Sequence, residues 1–211
     1  MDWQLKREEI LGPAQWAQVL AVLPSFSLRD QVLVHLLAGA GLRREEASAL
    51  DVEDLRLDQH ELVPYVVVRH GKGDKYGEVL ISERLAEMLR AFVGFRREGP
   101  VFISRKKNVG DGRIQGGTVN EVVTRVGERA GLPFLHAHQL RHFFGTSTLR
   151  QSGSLDFARR QLRHSSIKVT QVYLDLWLED GARHVEALDR LLSNPVGEMQ
   201  QKELKRKVEG E

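Results

Sequence analysis

Apolar residues recur at helical spacing along most of the chain, and the exceptions gather near its middle. Trp16, Val19, Leu20 and Leu23 share one face of a helix that Gly12-Pro13 opens and Leu23-Pro24-Ser25 ends. Val32, Leu33, Leu36 and Leu37 mark a second helix over 28–40, which Gly39 to Gly41 closes with a flexible turn. A short helix, RREEASAL, follows from residue 43. Two runs, 52–57 and 62–69, are β-branched or alternating, and a third resumes at 76–81 after Gly71-Lys72-Gly73-Asp74. This predicts strands and a hairpin with a glycine-rich tip.

The helical period then returns. Ser82 caps a helix reaching residue 93, with Leu85, Met88, Leu89 and Phe92 as its buried stripe. The apolar Val101-Phe102-Ile103 precedes a polar, basic, glycine-rich stretch over 105–117, expected to be a mobile loop. Thr118 opens a helix with Val119, Val122, Val123 and Val126 inward and Gly131 at its end. After Pro133 a new helix starts around His138 and carries Phe143, Phe144 and Leu149, which read as core; a Ser165-Ser166 break follows further on. A last helix over 180–192 presents Val185, Leu188 and Leu191 on one face. The organisation expected is one domain over 1–193 and a charged, flexible tail over 194–211.

Composition narrows the class. The 211 residues suffice for one domain with a real core, and the lack of cysteine excludes disulfides and thiolate metal sites. No apolar run approaches the roughly 20 residues of a membrane span, and the first residues do not open a signal peptide, so a cytoplasmic chain with no membrane partner is expected. The net charge of +2 says little, but its distribution says more. Residues 1–65 hold 6 basic and 11 acidic side chains, whereas 66–114 hold 11 and 6, and 138–176 hold 6 and 2. Such basic segments suit phosphate neutralisation along a nucleic-acid backbone, although solvated charge alone gives the same count.

The chemistry concentrates in HQLRHFFGTSTLRQSGSLDFARRQLRHSSIKVTQVY, residues 138–173. His138 and Arg141, three apart at a helix start, can reach a common point. Arg150, Arg159, Arg160, Arg163 and Lys168 follow against Asp156, which suits an anion, and His164 precedes Tyr173 by nine residues. His136, His138, His142 and His164 make a poor metal set, since no carboxylate or cysteine completes it and nearby arginines repel a cation. His142 is expected to pack or to bond a backbone carbonyl. Taken alone, Arg43 reads as a surface partner of Glu45 or Glu46, and Lys72 as a solvated turn lysine.

The H-x-x-R at His138 and Arg141, followed by R-H-S-S-I-x-x-T-Q-x-Y ending at Tyr173, closely resembles the motifs of the tyrosine recombinases, the family of phage integrases and chromosome-dimer resolvases. Gly41-Leu42-Arg43-Arg44-Glu45-Glu46 is similar to the family's first arginine box, and Gly71-Lys72-Gly73-Asp74-Lys75 to its lysine turn. The resemblance implies an α+β fold, mainly α-helical with a small antiparallel β-sheet. It implies a site-specific recombinase that cleaves and rejoins double-stranded DNA through a 3′-phosphotyrosyl link, needing neither metal nor other cofactor. Arg43, Lys72, His138, Arg141, His164 and Tyr173 are the catalytic set it implies, with Lys75 competing with Lys72 and Glu46 supporting the arginines. Lys75, Arg105, Lys106, Lys107, Arg163 and Lys168 are expected to meet DNA. A tetramer on paired sites, a DNA-bending accessory protein and a location on the nucleoid are also implied.

Two departures from the family pattern stand in the sequence. Arg163 replaces the usual glycine before the histidine, which either adds a phosphate contact or alters packing, and Ala137 stands where proline is frequent. With 42 residues before Arg43, a catalytic domain alone is expected, either separated or naturally short like the fimbrial phase-switch invertases. A type IB-like topoisomerase and a non-catalytic DNA-binding regulator remain as alternatives.

Overall fold

A computed structural model of the chain describes residues 11–57, 63–69, 76–105 and 110–164. Helix α1 (Pro13–Val22) opens after Gly12, with proline in the first turn where its missing N–H is not needed. Helix α2 (Leu28–Ala40) starts at Ser27, whose side chain accepts from the Asp30 N–H. Val32, Leu33, Val34, Leu36, Leu37, Ala38 and Ala40 are all buried, so apolar contact surrounds most of the helix. A helix buried on every side belongs at the centre. It packs against α4 (Glu83–Val93) and α6 (Ala137–Ser152), while α3 (Arg44–Ala49) packs against α5 (Gly116–Arg129).

The non-helical middle forms a three-stranded antiparallel sheet in the order β1 (Leu55–Arg56), β2 (Tyr65–Val68), β3 (Gly77–Leu80). The register pairs Leu55 with Val66 and, across the hairpin, Val66 with Val79 and Val68 with Gly77. The strand expected over 52–57 is shorter: Val52–Asp54 is a 3-10 turn, because Asp54 reaches back to the N–H of Asp51 and closes the chain on itself. Thr118 does not open α5, which begins two residues earlier at Gly116. The Ser82 cap is found as expected, accepting from the Leu85 N–H.

One large cluster joins α1 to α6 and the sheet, with Trp16 stacked on Phe143 at 5.2 Å between centroids. A smaller cluster of Leu149, Ala158 and Leu162, with Phe144 and Leu155 against it, attaches α7 (Leu155–Gln161) to the far half of α6. Among the described residues no helix is long and apolar enough to cross a membrane. The helix expected over 180–192 and the tail expected over 194–211 lie outside the described residues.

Candidate active site

The site begins where α2 stops. Gly41 ends that helix in the left-handed conformation, φ 58°, and a Cβ there would lie 2.3 Å from Phe144 Cδ1, so both backbone and packing demand glycine. Its carbonyl accepts from Arg141 Nη1, and the Leu162 carbonyl accepts from Arg141 Nη2. Arg141 is 2% exposed, and these two carbonyls hold its planar guanidinium in one orientation.

Two residues past Gly41, Arg43 is the N-cap of α3, and Glu46 in the first turn accepts from the Arg43 N–H at 2.8 Å. The same carboxylate accepts from Arg43 Nη1 at 2.7 Å and Arg163 Nη2 at 2.5 Å, and lies 3.8 Å from Arg141 Nη1. Three guanidinium groups, from three separate elements, therefore surround one carboxylate that is 4% exposed. Burial pushes the Glu46 carboxyl up, but Arg163, the Arg43 N–H, Arg141 and the Arg43 guanidinium together outweigh it and hold the group below its usual value. Arg43 thus does pair with Glu46 as its isolated motif suggests, yet the partner is interior.

Helix α6 starts at His136, and the N–H of Ala137 donates to Asn120 Oδ1 on α5 at 3.1 Å. Position 137 is the first helical residue, where proline is tolerated because its N–H is superfluous; here alanine has an N–H, and Asn120 satisfies it. This bond ties the start of α6, and with it His138, to α5. The His138 ring meets His142 edge-on at 4.3 Å, so His142 packs as anticipated. His138 remains open to solvent at the mouth of a cavity of about 540 Å³ that Arg43, Arg44, Asn120, His136 and Arg141 help to line.

His138, His142 and His164 are neutral at pH 7. Burial is the main cause at His164, and the positive charge of Arg141 adds to it, taking the group down to about 4; His138 reaches solvent, and the protein packed against its ring together with Arg141 lowers it in the same direction. Burial likewise lowers His142 to about 3, with His138 and Arg141 contributing. A neutral imidazole at His138 has a lone pair with which to accept a proton.

Arg163 follows α7 in the left-handed conformation, φ 54°, the one non-glycine residue with positive φ among those described. Its N–H donates to the Arg160 carbonyl at 2.9 Å and the next N–H, of His164, to the Arg159 carbonyl at 3.1 Å. These two bonds are the Schellman ending of a helix, which places glycine at this position in most proteins. An arginine there costs about 1 kcal/mol relative to glycine. The guanidinium points inward to Glu46 and the Gln161 carbonyl, so of the two consequences expected for Arg163 the altered packing is the one its geometry supports. Arg159 and Arg160 spend their charge on Asp156 at the surface.

The structure therefore brings Arg43, Glu46, His138, Arg141 and His164 together, and Arg105 is exposed. Lys72, Lys75, Lys106, Lys107, Lys168 and Tyr173 lie outside the described residues. Among those described, no group of three His, Asp or Glu could hold a metal ion. Asn120 and Gly41 were not singled out as site residues, because their bonds to residues 137 and 141 bridge separations that no local pattern reports.

A helical domain with a three-stranded sheet, in which three arginines surround a buried carboxylate and His138 and His164 stand close to Arg141, has the form of a tyrosine recombinase catalytic domain. The chain belongs to the phage integrase family, whose sequence profile matches residues 9–178. It is 31% identical over 199 residues to tyrosine recombinase XerA of Thermococcus kodakarensis, covering 92% of this chain and 65% of that protein. Tyrosine recombinase XerC of Actinobacillus pleuropneumoniae is 32% identical over 166 residues, covering 76% of this chain and 51% of the relative. A crystal structure of XerA recombinase superposes with a TM-score of 0.67 at 26% identity, covering 82% of this chain and 61% of that one. The XerH recombinase bound to its difH substrate shares the fold at 22% identity, with a TM-score of 0.67 and coverage of 81% and 50%. The chain thus spans about half to two-thirds of these relatives' length.

Proposed function

We propose that this chain is the catalytic part of a site-specific recombinase that cleaves and rejoins double-stranded DNA through Tyr173. The observation that carries this is the convergence of Arg43, from the start of α3, with His138 and Arg141, from the first turns of α6, on one cavity. In this reading the phosphodiester enters the cavity and its non-bridging oxygens meet the two guanidinium groups, whose rigid forks suit the charge that grows at phosphorus. His138 takes the phenolic proton of Tyr173, and the phenolate forms a bond to phosphorus while the bond to the 5′-oxygen breaks. Lys72, with Lys75 as its competitor, gives the leaving oxygen a proton, and His164 adds a hydrogen bond to the phosphoryl group. The phosphotyrosyl link conserves the bond energy, so a second 5′-hydroxyl reverses the step without a nucleotide cofactor.

Exchange between two duplexes calls for a tetramer on paired sites. A DNA-bending accessory protein and a location in the cytoplasm on the nucleoid complete the reading, as does a division into a catalytic domain over 1–193 and a charged tail over 194–211. The test is incubation with nicked duplexes from the flanks of its own gene, followed by denaturing gels and peptide mapping. The expected product is a denaturation-resistant adduct on Tyr173 that Tyr173→Phe does not form. An adduct that still appears in Tyr173→Phe overturns the assignment of the nucleophile. Relaxation of plasmids that lack any recombination site would instead indicate a topoisomerase.

A further inference from the structure

Arg163 sits where a helix ending favours glycine, and the conformation it adopts is the unfavourable one for a side chain. Something in the surroundings must hold it, and three contacts do. Nη2 meets Glu46 Oε2 at 2.5 Å, and Nη1 donates to the Gln161 carbonyl at 3.0 Å. The aliphatic stem covers Gly77 so closely that a Cβ there would lie 2.5 Å from Arg163 Cδ. Gln161, two residues before, accepts from the Leu80 N–H at 3.1 Å.

The turn that presents His164 is thereby tied to α3, which Arg43 caps, and to β3, which follows the segment containing Lys72 in sequence. Glycine would fit the same turn and leave the Gln161–Leu80 bond, but would lose the Glu46 link and the cover over Gly77. With Arg163 and the Arg43 N–H on Oε2 of Glu46, the Arg43 guanidinium takes Oε1 and Arg141 keeps its longer 3.8 Å separation.

We propose that Arg163 is a positioning residue: it clamps Glu46 and the turn before His164 into one unit, setting Arg43 and His164 for the phosphate before DNA arrives. This rests on the recombinase reading above. A residue in the glycine position therefore strengthens the site at the expense of local backbone ease.

Arg163→Gly is the decisive variant, because glycine suits φ 54° and removes only the side chain. Single-turnover cleavage of a nicked duplex is expected to slow at least tenfold with half-saturating DNA concentration little changed, while thermal stability falls because Glu46 loses a counter-charge, a loss that the relieved turn partly offsets. Arg163→Lys restores part of the rate, since an ammonium meets Glu46 but cannot also fork to the Gln161 carbonyl. Gly77→Ala slows the otherwise unaltered protein by displacing Arg163, and has no further effect once residue 163 is glycine.

A second readout does not depend on cleavage. Glu46 faces Arg43 on its own element, Arg141 from α6 and Arg163 from the turn after α7. A carbon-13 titration of its carboxyl is expected to move to higher pH in Arg163→Gly, because the strongest counter-charge to burial is gone. Cleavage at the unaltered rate, or an unmoved Glu46 titration, overturns the proposal. If the unaltered protein forms no adduct, the recombinase reading fails while the Glu46 titration still decides whether Arg163 holds the carboxylate.

Discussion

Replacing Glu46 by glutamine keeps the shape and removes the charge on which three arginines depend. The carboxylate is 4% exposed and accepts from the Arg43 N–H, Arg43 Nη1 and Arg163 Nη2 at 2.8, 2.7 and 2.5 Å. Glutamine has one acceptor oxygen and turns an NH₂ donor toward guanidinium donors. Removing one partner of a buried ion pair costs about 3–5 kcal/mol. The side chain of Arg43 is 31% exposed and that of Arg163 11%, so part of the abandoned charge returns to water. The cost then falls to the bottom of that range or below it, about 2–3 kcal/mol.

Urea unfolding at pH 7 reads this directly. With a slope of about 2 kcal/mol per molar urea, the midpoint of Glu46→Gln should fall by about 1–1.5 M with the slope unchanged. The sign against pH follows from the depressed carboxyl: its contribution is complete above the ordinary value of 4.5 and is lost as pH falls through the lower folded value. The gap between the two proteins should therefore close on acidification. A midpoint within about 0.25 M of the unaltered protein at pH 7, or a gap that widens in acid, would refute the account of Glu46 as the shared counter-charge.

The remaining predictions concern the same framework. Gly41→Ala forces a left-handed backbone onto alanine and drives a Cβ into Phe144, so thermal unfolding should show a loss of about 2–4 kcal/mol; a loss under about 0.5 kcal/mol would mean that the turn has another solution. Asn120→Ala strands the Ala137 N–H and should cost about 1 kcal/mol while slowing cleavage more than it weakens DNA binding. Equal effects on both would show that the bond does not position His138. The unfolded chain protonates its histidines near 6.5, whereas the buried His142 resists to about 3 and His164 to about 4, so stability should fall as pH drops from 6.5 toward 4. His142→Asn should flatten that fall in urea midpoint against pH, and an unchanged slope would place the proton uptake elsewhere. Bound DNA opposes the effect, since a phosphate raises the imidazole values.

Much of this protein is written in local pattern. The 3.6-residue spacing of Val32, Leu33, Leu36 and Leu37, the cap at Ser82 and the alternation beside residues 71–74 suffice to place α2, α4 and the hairpin, because these depend on neighbours within a few residues. The order of the boxes around Arg43, His138, Arg141 and His164 likewise named the residues that meet at the site. Local pattern overextended the first strand, since the Asp51–Asp54 turn competes with pairing over just those residues. It was silent on Asn120 satisfying Ala137, on the Gly41 carbonyl orienting Arg141, and on Arg163 turning inward to a carboxylate 117 positions away. Those outcomes belong to the tertiary structure. A charge in sequence has only a sign, and whether it meets solvent, phosphate or a buried counter-charge is set by the elements that folding brings around it.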